Sequence, residues 1–393
     1  MRCQHFLPMV LSSILLLTSV CVAGNAPITV THTEDKAVFI QLASSGRKHI
    51  AASNNRVGMV WEEVRNGKAT VFAAFKRAGE PGFNTPTALS KADAYSPVIA
   101  YCGDLFYLAW IEEGSIKVML ADNGQPGNML PLAESTDVNE LSIGCGANSA
   151  LMAYSAANNK NSVVYATQVK PNKGHLQAEN SVPVAPLESF RFQTNPGIAL
   201  NKGRIVVTWH DRSSGTNLLY ATSGITLQSL SDTVQINELI KKSHEWGSGS
   251  SAVSNVLSNG PKDRLVVVWL DKRASRSGYK VYSAFSHNGG LTWGDNYKVS
   301  DEWGDIVPAW TPAIAADGSK QLSVLWMDKR EEDNALWISH LAGLSWSQDK
   351  DFQSGDAEPH SPAIAYSPDG RFHATWIQKG ANGTQLVYLE TEF

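Results

Sequence analysis

The chain reads as an all-β protein in which seven four-stranded units close into a ring, a seven-bladed β-propeller. Three observations predict this. An aromatic residue closing a short apolar run recurs at Trp61, Trp110, Tyr154, Trp209, Trp269, Trp326 and Trp376, 44 to 60 residues apart; a period in that range marks a solenoid, a propeller or an array. Each unit consists of short strands between turn signals, with no helix-period segment. The run before each aromatic, such as Leu265-Val-Val-Val, is continuously apolar, as expected for a strand covered on both faces. Six blades is the alternative count.

Within a unit the first strand has a recurring signature: Ser96-Pro-Val-Ile-Ala, Asn195-Pro-Gly-Ile-Ala, Thr311-Pro-Ala-Ile-Ala and Ser361-Pro-Ala-Ile-Ala. A Gly-containing turn follows, then the apolar second strand ending in the aromatic. A polar turn leads to an alternating third strand, for example Lys280-Val-Tyr-Ser-Ala-Phe, and a variable fourth strand such as Tyr297-Lys-Val-Ser completes the unit. Side chains alternate along a strand with period two, so each Trp shares a face with the residues two and four places on. In the best copies, Trp269-Leu-Asp-Lys-Arg and Trp326-Met-Asp-Lys-Arg, those are an Asp and an Arg. The seventh unit stops after its third strand, and an orphan stretch, Lys36-Ala-Val-Phe-Ile-Gln-Leu, precedes the first. An unpaired blade edge is an aggregation hazard, so the expectation is that residues Val38 to Leu42 close the last blade beside Leu386 to Glu390.

Residues 1–24 read as a secretory signal: Arg2, an apolar stretch from Met9 to Val22, and small residues around Ala23 and Gly24. Residues 25–393 are then one propeller domain, secreted or periplasmic, with no membrane span once the signal is removed. Cleavage leaves Cys102 and Cys145, each before a Gly at the end of the first strand of adjacent units. A disulfide is expected between them if their Cα atoms lie about 4.4–6.8 Å apart. The net charge of −4, with no basic run, excludes nucleic acid as a partner. No zinc-type His/Cys cluster, nucleotide loop or nucleophile elbow occurs, so neither a metal nor a cofactor is expected.

Unit five contains Ser286-His-Asn-Gly-Gly-Leu-Thr-Trp293, and unit six an altered copy in register, Ser339-His-Leu-Ala-Gly-Leu-Ser-Trp346. The first matches the Asp-box, Ser-x-Asp/Asn-x-Gly-x-Thr-Trp, and on it the chain resembles the sialidase-like Asp-box (BNR-repeat) propeller superfamily. The resemblance implies a structural role for Ser286, Asn288, Gly290, Thr292 and Trp293, on the face away from the binding site. It places the site on the face of the second-to-third turns, where sialidases use an arginine cluster, an acidic Asp and a Tyr nucleophile paired with Glu. Here Arg47 stands near the family's first arginine without the Arg-Ile-Pro motif, and no Asp follows Arg65. Arg47 is the one catalytic candidate, and no Tyr–Glu pair can be assigned.

The repeated Asp–Arg pairs read first as inter-blade ion pairs that recur because the blade recurs. The alternative is that Arg273 and Arg330 join Trp246, Trp303 and Trp310, on loops that differ between units, as a ligand-binding group. Rings suit sugar C–H faces, and guanidinium groups suit carboxylates. The leading expectation is recognition of a glycan or glycoconjugate, possibly acidic, without catalysis. The alternatives are an exo-glycosidase of sialidase type and a protein-binding scaffold.

Overall fold

A computed structural model describes residues 26–122, 125–132, 137–173, 175–186, 188–239, 252–273, 278–302, 307–318, 321–330, 333–353, 357–380 and 383–393. The proposed signal lies outside these residues. Among them, no helix is long and apolar enough to cross a membrane.

Seven antiparallel sheets form, one per unit. Their innermost strands are Val38–Gln41 with Ile50–Ala52, Ala94–Cys102, Val138–Gly146, Gln193–Asn201, Ala252–Gly260, Ala309–Ala316 and Glu358–Tyr366. These neighbour one another in chain order around a central channel. Strand direction alternates outward through each blade. The first-to-second and third-to-fourth turns therefore share one end of the ring, and the second-to-third turns share the other.

Packing explains the repeat. The buried apolar residues form seven clusters, one at each interface between neighbouring blades. Each cluster contains one of the seven repeat aromatics, packed against the preceding blade. The six tryptophans are fully buried, and Tyr154 nearly so. Truncating such a residue to Ala typically costs about 3–5 kcal/mol. The residue two places on has a matching role: Nε1 of Trp61, Trp110, Trp269 and Trp326 donates to the carboxylate of Glu63 (3.2 Å), Glu112 (2.9 Å), Asp271 (3.1 Å) and Asp328 (3.0 Å). A buried indole N–H needs an acceptor, and period-two geometry supplies it in these four blades, whereas Trp209 Nε1 and Trp376 Nε1 have none among the described residues.

Ring closure follows the expected principle through a different segment. Ile28–Thr33 pairs with Gly383–Thr391, with Ile28 opposite Tyr388 and Thr33 opposite Thr384. Val38–Gln41 instead pairs with Glu62–Arg65 and forms the outer half of the first strand of blade 1. That strand resumes only at Ile50–Ala52. The interruption removes the Pro-x-Ile-Ala signature, so these residues looked like an orphan when they were half of a split strand.

Cys102 and Cys145 are joined by a disulfide, with Cα atoms 5.3 Å apart, linking blades 2 and 3. In the Asp-box turn, Ser286 Oγ accepts from Gly290 N–H (2.9 Å), and Asn288 Oδ1 accepts from Thr292 N–H (3.0 Å). Gly290 has φ +84°, and a Cβ there would lie 2.7 Å from Val206 Cγ1 of blade 4. Glycine thus permits both the turn and its approach to the next blade. Trp293 covers the turn against the blade 4–5 cluster. In the altered copy Leu341 is buried in the blade 5–6 cluster, and Trp346 Nε1 donates to Ser283 Oγ across the interface (2.9 Å).

Candidate functional site on the propeller axis

The segment that splits the first strand of blade 1 enters the central channel. A short 3-10 turn, Ser45–Arg47, packs against the inner strands of blades 3, 4, 5 and 7. Ser45 Oγ donates to Leu141 O (3.0 Å) and Arg47 Nε to Pro362 O (2.7 Å); Ile99 N–H donates to Lys48 O (2.8 Å). Gly46 has φ +68°, with Ser142 Oγ 2.8 Å from where its Cβ would stand. Arg47 follows at φ 52°. The consecutive residues Arg47, Lys48 and His49 are thereby placed on or beside the axis.

Around this plug the inner strands carry a shared irregularity. Ser96, Asn195, Thr311 and Ser361, each preceding a proline, have φ of 56°, 49°, 48° and 54°. Each lies in a register shift of its strand. The pre-proline signature of the sequence is thus a β-bulge, a device that re-aims backbone and side chains. Freed from the ladder, the N–H of Ser96 donates to Glu62 Oε1 (2.7 Å) and that of Asn195 to Glu140 Oε2 (2.6 Å). At the corresponding shift in blade 5, Asn255 N–H donates to His210 Nε2 (3.2 Å).

Burial sets the protonation states here. It pushes the Glu62 carboxyl up to about 7, even though the Ser96 N–H favours the anion. Burial also raises Glu140. It lowers His210 to about 3 and pushes His49 well down, so both imidazoles are neutral. Burial, then the charges of Lys379 and Arg47, lower His360 to about 4. Arg47 is brought down to about 10 by burial and remains a cation at neutral pH.

Among the buried polar atoms without a hydrogen-bond partner in the described residues, which also include His49 Nδ1 and His210 Nδ1, are Arg47 Nη2, His360 Nε2 and Thr311 Oγ1. These last three come from blades 1, 7 and 6. Trp310, half-buried, and His360 each immediately precede a bulge residue, and so does Tyr95, whose hydroxyl donates to Val138 O (2.8 Å). Arg47 and His360 have no counterparts in the other units. That separates them from the repeated residues.

The expected ligand-binding group is only partly brought together. Trp246 and Trp303 lie outside the described residues. Arg273 has a side chain only 3% exposed; it pairs with Asp271 (2.8 Å) and Glu238 (3.1 Å) and lies over the Tyr282 ring, 4.6 Å from its centroid. Arg330 pairs with Asp328 (2.6 Å) and Asp349 (2.9 Å) and stacks 3.9 Å from the Trp337 centroid. Arg273 is thus engaged by Asp271 and Tyr282 of blade 5 and by Glu238, which follows the last strand of blade 4, and Arg330 by Asp328, Asp349 and Trp337 of blade 6. A Tyr–Glu pair does exist: Tyr388 Oη donates to Glu390 Oε2 (3.0 Å) and is hydrogen-bonded to His373 Nδ1 (2.8 Å). Tyr388 is fully buried in the blade 7–1 cluster. Its network continues through Arg371, which donates to Glu390 Oε1 (3.0 Å) and to Asn54 O of blade 1. The network clasps the two blades at the first-to-second-turn end.

No family model and no curated protein matches this sequence. Solved structures do match in fold. A PL25 ulvan lyase bound to -[GlcA(1-4)Rha3S]- superposes with a TM-score of 0.59 at 10% identity, over 93% of this chain and 96% of that one. The phage phi92 endosialidase gives 0.53 at 10% identity, over 94% and 69%. The Penicillium chrysogenum alpha-L-arabinanase complexed with arabinobiose gives 0.52 at 9% identity, over 94% and 98%. At these identities the likeness is one of fold, shared with several carbohydrate-active proteins.

Proposed function

We propose that the protein cleaves glycosidic bonds in a carbohydrate bound at the axial site, on the face of the second-to-third turns. One observation carries the reading: Arg47 Nη2, His360 Nε2 and Thr311 Oγ1 are left without partners in the channel. A buried polar atom left unsatisfied costs about 1–3 kcal/mol. Three of them, on non-repeated or strained positions, fit a ligand that supplies their hydrogen bonds. Sugar hydroxyls and carboxylates do so, and Trp310 at the same rim offers a stacking surface. Arg47 would dock an oxygen of the substrate. His360, neutral at physiological pH, would take or give a proton there. Carbohydrate as the substrate class is further supported by the ulvan lyase and the arabinanase, whose bound ligands are saccharides on this architecture. The described residues place one arginine, Arg47, at the axis where the sialidase resemblance implies a cluster. The reading is therefore glycan cleavage in general, with hydrolysis and elimination both to be assayed.

The test is incubation with acidic and neutral polysaccharides, following new reducing ends and unsaturated uronates. Cleavage lowered about 10²-fold or more in His360→Ala, with Arg47→Ala also impaired, is the expected result. Binding without product, lost in Arg47→Ala, would assign the site to recognition alone. Neither binding nor product on any polysaccharide would reject the reading.

A further inference from the structure

The other end of the channel holds a separate cavity of about 370 Å³. The ends of the inner strands of all seven blades contribute to it, including Ala52, Tyr101, Cys145, Asn259, Asp317 and Tyr366. Lys48 reaches it from the plug and is its only lysine or arginine among the described residues. The side chain is half-buried and surrounded by protein. Its ammonium has no ion pair or hydrogen bond among the described residues, although its backbone carbonyl is engaged by Ile99. The other polar groups around the cavity are occupied. Tyr101 Oη donates to Asp104 (3.0 Å), Tyr366 Oη is bonded to Ser323 Oγ (2.6 Å), and Asn259 Nδ2 donates to Leu200 O (2.7 Å). Asp317, the one carboxylate in the lining among the described residues, accepts from Gln321 N–H (3.0 Å).

A half-buried ammonium that has lost part of its hydration without a counter-charge gains from an anion that supplies one. Burial alone lowers Lys48 to about 8, with no carboxylate acting against it. We propose that this cavity is a second binding site, distinct from the axial site on the opposite face. It would take an oxyanion, carboxylate or sulfate, either free or carried by a molecule of monosaccharide size, with Lys48 as the gripping cation. The volume lies in the range of small-molecule pockets.

The test is the rate at which Lys48 is acylated by a small amine reagent, read by peptide mass spectrometry on the intact protein. Sodium sulfate, glucuronate and glucose are compared against sodium chloride at equal ionic strength. With ligand at ten times its dissociation constant, labelling should slow about tenfold. Protection by sulfate alone supports the site with a free anion as occupant; protection by glucuronate supports an acidic sugar. Calorimetric binding of the same anion should vanish in Lys48→Met, while His360→Ala leaves it intact. Labelling unaffected by either anion overturns the proposal. So does protection by glucose equal to that by glucuronate, because the charge argument then fails. The protection assay uses the wild-type protein, so it decides the matter even if Lys48→Met does not fold.

Discussion

Replacing both cysteines of the blade 2–3 link with alanine, as Cys102→Ala/Cys145→Ala, opens a covalent loop spanning 43 residues of sequence. In the chain-entropy treatment, a loop of that length constrains the unfolded chain by roughly 13 cal/mol/K, or about 4 kcal/mol at 25 °C. The unfolding entropy of a chain this size is roughly 0.8 kcal/mol/K, so the melting temperature should fall by about 5 °C. The native state loses little else. Cys102 is buried in the blade 2–3 cluster, but alanine keeps its β-carbon, whereas Cys145 is exposed at the cavity rim. The assay is scanning calorimetry of wild type and double variant, with a non-reduced peptide map to verify the link. A shift of less than about 1 °C, with the disulfide present in wild type, would refute the entropic argument.

Three further outcomes follow from the geometry. Deleting residues 26–34 removes the strand that pairs with Gly383–Thr391 and should lower the melting temperature sharply and expose a sheet edge to self-association; an unchanged melting curve and a monomeric variant would contradict closure by this segment. Gly290→Ala places a Cβ 2.7 Å from Val206 Cγ1 at φ +84° and should cost about 1–3 kcal/mol in denaturant unfolding, whereas Gly370→Ala, with nothing within 4 Å of its Cβ, should pay only for its positive φ. His210 supplies a pH signature. Its folded pKa is lowered to about 3 by burial, against about 6.5 unfolded. Between those values the unfolded chain binds a proton that the folded chain does not, so this contribution to stability falls as pH falls, by up to about 1.4 kcal/mol per unit. Glu62, raised to about 7, acts in the opposite sense over the range from its unfolded pKa up to 7. The wild type is therefore best compared with His210→Gln, in which Gln can still accept the Asn255 N–H. The stability difference should shift in favour of the variant as pH drops from 6.5 towards 4, and a flat difference would remove His210 from the acid response.

Much of the fold was legible because it depends on local pattern repeated. The seven aromatics predict seven interfaces, since an aromatic two-thirds of the way through each apolar run must be buried against something. Period-two alternation predicts that the following carboxylate sits beside the indole. The Asp-box turn was equally readable, because its hydrogen bonds lie within eight residues. The pre-proline signature was visible as a repeat but not as a bulge: a positive φ before proline runs against local preference, and in blades 2 and 4 a neighbouring blade supports it by presenting Glu62 or Glu140 as acceptor.

The closing strand and the site were decided by tertiary structure alone. Ile28–Thr33 and Val38–Gln41 are both short and β-branched or apolar in alternation; which of them joins blade 7 depends on where the split strand of blade 1 resumes, some ten residues later. Arg47, Lys48 and His49 form an unremarkable basic run in the sequence. Their significance comes from the channel into which Gly46 turns the chain, because burial there desolvates all three side chains. Arg273 and Arg330 show the converse. Their recurrence with Asp and aromatic residues was plain in the sequence, but the same recurrence supplies each guanidinium with a carboxylate and a ring inside its own blade. Two of the groups that remain without a partner at the axis, Arg47 and His360, come from positions that do not repeat, and periodicity carries no information about those.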